Sequence, residues 1–491
     1  VWYSRPLAET VRLGKANRLY RFFFSRLGKS AGAGDENNEG EEEIPKPNRP
    51  LHEGEKEWLK KGPRFLEPGR EEGEPAQRDI QILIEGAGDW VNLALIPSIE
   101  KAREELGVLR SQGQPDLPDF SVIVVDDSRW HSPGEKPPVK PDEKLHPDLR
   151  RAIDQGLNQG KSYGIAPRGV TVTPRLVTFL DKADPSHFQR YQRLRPGVVF
   201  IVTPDYTHSA LCRAHLDRAL TIFVEKPFDA NWENVRALLE ARGRAALDTE
   251  IYALDHYRFY SWHLRDLLEE ATDWLGGALH EARFCMVETG SVEPHRIRAL
   301  QYGLMLDMLP HCFGMLAFFG KLESVDEFEV LEVGRYEGAP IPNETYAHVR
   351  FTFEDYSDNG WRVPCEAYIG KGLEKGRKYF EVIGRNGNSV LIALTPGKKT
   401  WWCSDQKDQE VEGGIYFVGA GGAMTKKADL DPDRYKQLFL DLITGERKAI
   451  VCAMPSEAGE QIVHALDRFW SAVQAHSPWQ PYKLEEFDCF K

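Results

Sequence analysis

The sequence predicts two architectures in one chain: a doubly wound α/β domain with a parallel sheet, then an α+β domain around a large, mostly antiparallel sheet. Three observations carry this. The stretch "IQILIEGAGDW" is a short apolar run that breaks at two glycines and leads into helical spacing. Apolar strands then alternate with helices as far as "TIFVEKP", the rhythm of a parallel sheet. Beyond residue 228 the strand-like segments alternate polar and apolar side chains, which suits an antiparallel sheet with one covered face.

A length of 491 residues exceeds one compact core. The expected divisions are an extension at 1–78, the parallel α/β domain at 79–228 and the α+β domain at 229–491. Within the extension, a basic amphipathic stretch is followed by "GAGDENNEGEEEIPKPNRP", which has almost nothing apolar to bury. It is expected to lie outside the folded domains.

Each element follows in order. Ile80 to Ile84 form the first strand, and Leu93, Ile96, Ile99 and Ala102 share one face of the helix after it. "DFSVIVVDD" is the second strand, ending on Asp126 and Asp127; a Pro- and charge-rich insertion occupies 128–168. "GVVFIVTP" is a strand, "HSALCRAHLDRA" a helix and "TIFVEKP" another strand. "NWENVRALLEAR" is a helix, and "TEIYALDHYRF" begins with a strand. "HEARFCMVET", "TYAHVRFTFE", "RVPCEAYIGKG", "RKYFEVIGR" and "SVLIALT" alternate, the last two joined by an "NGN" hairpin turn. "DRYKQLFLDLI" and "SEAGEQIVHALDRFWSAV" are closing helices, and "GAGGAMTKK" reads as a flexible loop over the active site.

Composition excludes several classes of function. The formal net charge of -13 argues against a nucleic-acid partner. No apolar run is long enough to span a bilayer. Seven scattered cysteines with no CxxC pair fit neither a zinc site nor a disulfide framework, so a reducing, cytoplasmic setting and no metal are expected.

The strand–glycine–helix junction at Gly86 and Gly88 presents backbone N–H groups and a helix start, where a pyrophosphate can be held. Val91 stands where a third glycine is usual. Asp126 lies at the end of the next strand, where a carboxylate hydrogen-bonds a ribose and repels a 2′-phosphate. That favours NAD; Arg129 pairing with the phosphate would give NADP instead.

"IVTPDYTH" followed by "VEKP" resembles the Gfo/Idh/MocA family of sugar oxidoreductases, over about residue 79 to the C-terminus. The resemblance implies a Rossmann domain with Thr203, Pro204, His208 and Glu225 around NAD, and Lys226 as catalytic electrostatic stabiliser where nicotinamide and substrate meet. "DMLPH" carries over as that family's DxxxH: His311 takes the hydroxyl proton and Asp307 orients it, the two lying on one helical face. Relatives of this kind form dimers or tetramers, so a homo-oligomer is implied.

"LDHYRFY" carries two resemblances. Arg258-Phe259 is similar to that family's substrate loop, while Asp255-His256-Tyr257 is similar to the DHY segment of glucose-6-phosphate dehydrogenases, though the lysine of their HYLGKE is absent. As an extended segment it puts His256 and Arg258 on one face, and His256, Tyr257 and Arg258 are the expected substrate contacts, with Arg258 gripping a phosphate. The expected activity is hydride transfer between NAD(P) and a carbinol carbon of a sugar, polyol or sugar phosphate. The alternatives are glucose-6-phosphate dehydrogenase-like oxidation of an anomeric carbon, and a non-catalytic dinucleotide sensor on the same fold.

Overall fold

The computed structural model describes residues 79–86, 90–115, 117–126, 177–182, 184–289, 303–339, 341, 343–357, 360–372, 375–404, 407–446, 448–476 and 480–481. The N-terminal extension, the insertion at 128–168, and Gly88, Asp127 and Arg129 lie outside them.

A seven-stranded sheet forms first. Its strands are β1 (Asp79–Glu85), β2 (Asp119–Asp126), β3 (Val177–Asp181), β4 (Val198–Ile201), β5 (Thr221–Val224), β6 (Glu250–Ala253) and β17 (Met454–Pro455). Their order is β17-β6-β5-β4-β1-β2-β3, parallel throughout except for the β17 edge. This is the 3-2-1-4-5-6 order of a Rossmann sheet, in which the reversal between β1 and β4 opens a crevice at the strand ends. Every residue of β4 and β5 is buried, as strands covered on both faces must be.

The flanking helices are α1 (Ile96–Ser111), α2 (Pro185–Arg193), α3 (His208–His215) and α4 (Trp232–Arg242). Ile96, Ile99 and Ala102 of α1 are buried, as their spacing requires. Asn231 caps α4 by accepting from the backbone N–H groups of Glu233 and Asn234. Two features depart from expectation. β3 adds a strand beyond the insertion, and β6 and β17 carry this sheet past residue 228, so that position does not bound it.

The nine-stranded sheet has the order β16-β15-β12-β11-β7-β10-β9-β8-β18. It comprises β7 (Leu279–Glu288), β8 (Gly320–Arg335), β9 (Tyr346–Asp355), β10 (Arg362–Lys371), β11 (Arg377–Gly384), β12 (Ser389–Ala393), β15 (Gly414–Val418), β16 (Met424–Ala428) and β18 (Gln480–Pro481). Pairing is antiparallel apart from β10 with β7 and β18 with β8. A separate hairpin, β13 (Lys399–Ser404) with β14 (Lys407–Glu412), packs Trp402 into the core beside Tyr379 and Leu391. Gly387 of the "NGN" turn has φ 79°, the left-handed conformation a tight hairpin demands. The "GAGGAMTKK" segment is a hairpin turn between β15 and β16, closed by Gly419 N–H to the Ala423 carbonyl, rather than a loop over a site.

The remaining helices are α5 (His256–Tyr260), α6 (Leu268–Trp274), α7 (Leu304–Leu316), α8 (Lys436–Thr444), which packs against α1, and α9 (Ser456–Gln474), which packs against α4. α7 is almost wholly buried. Glu344, fully buried, accepts from the Met305 N–H at its first turn, and burial pushes that carboxyl up to about 8. No helix among the described residues is long and apolar enough to cross a membrane.

Candidate active site

Lys226 follows directly on β5, at the carboxyl edge of the parallel sheet. Its Nζ donates to Asp307 Oδ1 at 2.8 Å and to the Asp307 carbonyl at 2.6 Å. The opposite charge explains how a lysine can close an apolar strand, and the strand end fixes where the ammonium lies. Asp307 thus serves Lys226. The expectation that it orients His311 is corrected: His311 Nδ1 lies 2.8 Å from Asp255 Oδ1.

The Asp255–His311 pair is set by two local devices. Asp255 is the N-cap of α5, its Oδ1 also accepting from the Tyr257 N–H at 2.9 Å. Gly314, one turn after His311, lets α7 approach it: a Cβ there would fall 2.4 Å from Asp255 Oδ2. Burial raises the Asp255 carboxyl, but His311 and the Tyr257 N–H outweigh that and hold it below its ordinary value. Burial drives His311 below its ordinary 6.5, and Asp255 opposes that shift. With Nδ1–H given to the carboxylate, Nε2 is the nitrogen that can take a proton.

The "DHYRFY" segment is the helix α5, not an extended strand, which redistributes its side chains. Arg258 is buried, donating to the Cys452 carbonyl at 2.8 Å and to the Gly314 carbonyl, with its guanidinium 3.9 Å from the Phe318 ring. It clamps α5 to α7, and its assignment as the phosphate-gripping residue is withdrawn. His256 does reach the site: its ring centroid is 4.8 Å from that of His311 and 5.0 Å from that of Trp90. Tyr257 packs edge-on against His311 at 4.6 Å and faces Lys378, which donates to Glu288.

Asp255, His256 and His311 also bring ligand atoms within 4.8 Å of one another. A tetrahedral zinc with bonds near 2.0 Å needs edges of about 3.3 Å, and His311 Nδ1 is already engaged. The set suits proton transfer better than metal binding.

The expected cofactor residues divide. Gly86 has φ 101°, and a Cβ there would lie 2.8 Å from the Val202 carbonyl, so the turn after β1 requires glycine. Asp126 ends β2, as anticipated. Thr203 bonds Thr207 through their hydroxyls at 2.6 Å, and Pro204 leads into the turn before α3. His208 bridges the Thr203 and Pro227 carbonyls, tying the two strand ends together beneath the crevice. Glu225 is buried and takes the Trp90 indole N–H and the Tyr435 hydroxyl, which makes it a brace within the protein. Burial pushes its carboxyl up. Trp90, Tyr435 and Arg434 complete the neighbourhood without a signal in the sequence, while Asp255, named there only within the DHY segment, turns out to be the partner of His311.

A doubly wound parallel sheet is thus joined to an open, mostly antiparallel one, with a lysine–aspartate pair and an aspartate–histidine pair near the ends of the parallel strands. Residues 178–246 match the Gfo/Idh/MocA family model, described as an oxidoreductase family with an NAD-binding Rossmann fold. No curated protein matches the chain by sequence. Solved structures that share the fold include three with the following likeness. The aldose-aldose oxidoreductase of Caulobacter crescentus, complexed with glycerol, is 13% identical with a TM-score of 0.52 over 81% of this chain and 98% of its own. The glucose-6-phosphate 1-dehydrogenase of Mycobacterium avium is 16% identical, TM-score 0.52, over 82% and 94%. The UDP-N-acetylglucosamine 3-dehydrogenase of Acidithiobacillus ferrooxidans is 13% identical, TM-score 0.51, over 81% and 98%.

Proposed function

We propose that the protein is a nicotinamide-dinucleotide-dependent oxidoreductase acting on a carbinol group of a sugar, polyol or sugar phosphate. The observation that carries this is the Asp255–His311 pair beside the Lys226–Asp307 pair at the carboxyl edge of the parallel sheet. Gly86 and Asp126 would hold the dinucleotide, the first by its turn and the second at the ribose, with NAD preferred to NADP. When bound, the dinucleotide supplies hydride acceptance or donation.

His311 Nε2 takes the hydroxyl proton on oxidation and returns it on reduction. Asp255 keeps the imidazole in the tautomer that leaves Nε2 free and stabilises the imidazolium once formed. The Lys226 ammonium polarises the carbinol or carbonyl oxygen, and Asp307 holds that ammonium in place. A homo-oligomer built on the partly exposed face of β8 and β9 fits the same reading.

A panel of sugars, polyols and sugar phosphates, assayed with NAD and NADP for change in nicotinamide absorbance, tests it. Turnover of at least one member is expected. Tight dinucleotide binding with no turnover of any member would favour the sensor instead.

A further inference from the structure

Two buried nitrogens near the site have no hydrogen-bond partner: Nδ1 of His256, whose ring neighbours His311, and Nη1 of Arg434. They belong to one cluster. The Arg434 guanidinium lies 4.5 Å from the Trp90 ring and 5.5 Å from the Tyr260 ring, and its Nε donates to the Tyr260 hydroxyl. The same two rings flank His256, at 5.0 and 5.6 Å.

The charges nearby leave Arg434 uncompensated. Lys226 has Asp307, while Lys371 and Lys378 share Glu288. The acids closest to Arg434 in sequence are taken: Asp433 pairs with Lys101, and Asp431 accepts from Trp262. Among the described residues no carboxylate pairs with Arg434. Burial, together with the positive charges of His311, Arg434, Lys226 and Lys378, drives His256 well below its ordinary value. An imidazole with one N–H and a guanidinium with spare donors make a receptor for oxygen acceptors carrying negative charge.

We propose that Arg434 and His256 together receive an anionic group of the substrate, a phosphate or a carboxylate, carried a few bonds from the reacting carbinol. This rests on the oxidoreductase reading and gives its substrate class. The site abuts His311 through His256, which assigns it to the substrate. The opposite wall, Trp90, stands just beyond the dinucleotide turn and makes the cofactor the competing occupant.

Tryptophan fluorescence of the full chain, titrated with inorganic phosphate, gluconate, D-glucose and NADH, separates the two. Phosphate or gluconate is expected to saturate the wild type, whereas D-glucose alone gives a much weaker response. Arg434→Gln should weaken the anion by at least about tenfold, the loss of one charge-assisted bond. Arg434→Lys should fall between, and NADH affinity should hold in both; thermal melting checks that they fold. Which anion saturates identifies the handle as phosphate or carboxylate. The proposal is overturned if the wild type binds neither anion, if both variants bind as the wild type does, or if NADH affinity falls in parallel. Anion binding needs no turnover. A chain that binds phosphate through Arg434 but oxidises no sugar would sink the activity alone, and sugar turnover with anion binding indifferent to Arg434 would sink only this assignment.

Discussion

Among the described residues, two buried carboxylate–histidine pairs have equal length, and they do different things. Asp255 meets His311 at 2.8 Å, and Glu85 meets His215 at 2.8 Å. Around Glu85 every oxygen is used: Oε1 takes His215 and the Tyr191 hydroxyl, Oε2 takes Lys182, and His215 is 0% exposed. Around Asp255 the arrangement is unfinished. Oδ2 has no partner, His311 keeps 3% exposure, and the unbonded His256 nitrogen lies alongside. Each pair leaves one buried atom unbonded, Nδ1 of His215 in the first and Oδ2 of Asp255 in the second, so the difference lies in the carboxylates: both oxygens of Glu85 are held, while Asp255 at a strand edge has an oxygen left over beside a second unbonded histidine.

The largest effect that could break this comparison is on turnover. His311→Ala should lower kcat by about a hundredfold or more, the scale of losing a positioned acid/base. His215→Ala should lower the melting temperature, since it strips a buried carboxylate of a donor, but leave kcat within a fewfold. Steady-state kinetics and thermal melts on both variants check this. Equal losses of turnover would erase the distinction.

Lys226→Ala should cost kcat a similar factor of about a hundred, with Lys226→Arg retaining part of it. Dinucleotide affinity should change little in the alanine variant. A rise in KM alone, with kcat preserved, would make Lys226 a binding group rather than a stabiliser of the reacting oxygen.

A smaller and sharper test is the acid limb of kcat/KM for oxidation. Catalysis needs neutral His311, whose folded value is below 6.5 because burial outweighs Asp255. Activity should therefore persist as pH falls through 6.5 and decline only below it. Asp255→Asn removes the group that raises His311, so the limb should move further toward acid while kcat drops. A limb at or above 6.5 in the wild type would assign the base elsewhere.

These tests depend on contacts of unequal legibility in the sequence. Lys226 stood out only through the resemblance of "VEKP" to a known family, since an apolar strand ending in charge is equally what a lysine meeting water would show, while the alternation of strands and helices was enough for the parallel sheet. The Asp255–His311 pairing could not be read, because it joins a strand end to a helix through packing. A clue was nonetheless present: aspartate just before "HYRFY" is an N-cap signature, and treating it as one would have made α5 a helix and withdrawn Arg258 from the substrate. β3 went unread because "VTFLD" is a short run set a few residues beyond a long Pro- and charge-rich stretch, outside the strand–helix alternation. Arg434 meets Trp90 and His256 only when α8 packs beside the crevice, which no local pattern encodes.

The smallest expected effect concerns the Glu85–His215 pair and pH. Burial alone would raise the Glu85 carboxyl, yet its bonds to His215 and Lys182 bring it from an ordinary 4.5 down to about 2. A depressed carboxylate contributes stability that is fully present above its unfolded value and is lost as pH falls toward the folded one. The window is therefore between about 4.5 and about 2. The shift corresponds to roughly 3 kcal/mol at most, before relaxation of the buried network reduces it. Glu85→Gln should be less stable than the wild type at neutral pH, with the gap narrowing steadily through that window. Comparing the two chains by denaturant unfolding at each pH isolates Glu85 from the other carboxylates, such as Glu288, that titrate in the same range. A gap that stays constant from neutrality down to pH 3 would mean that Glu85 does not carry its charge in the folded protein, and the contrast with Asp255 would have to rest on exposure alone.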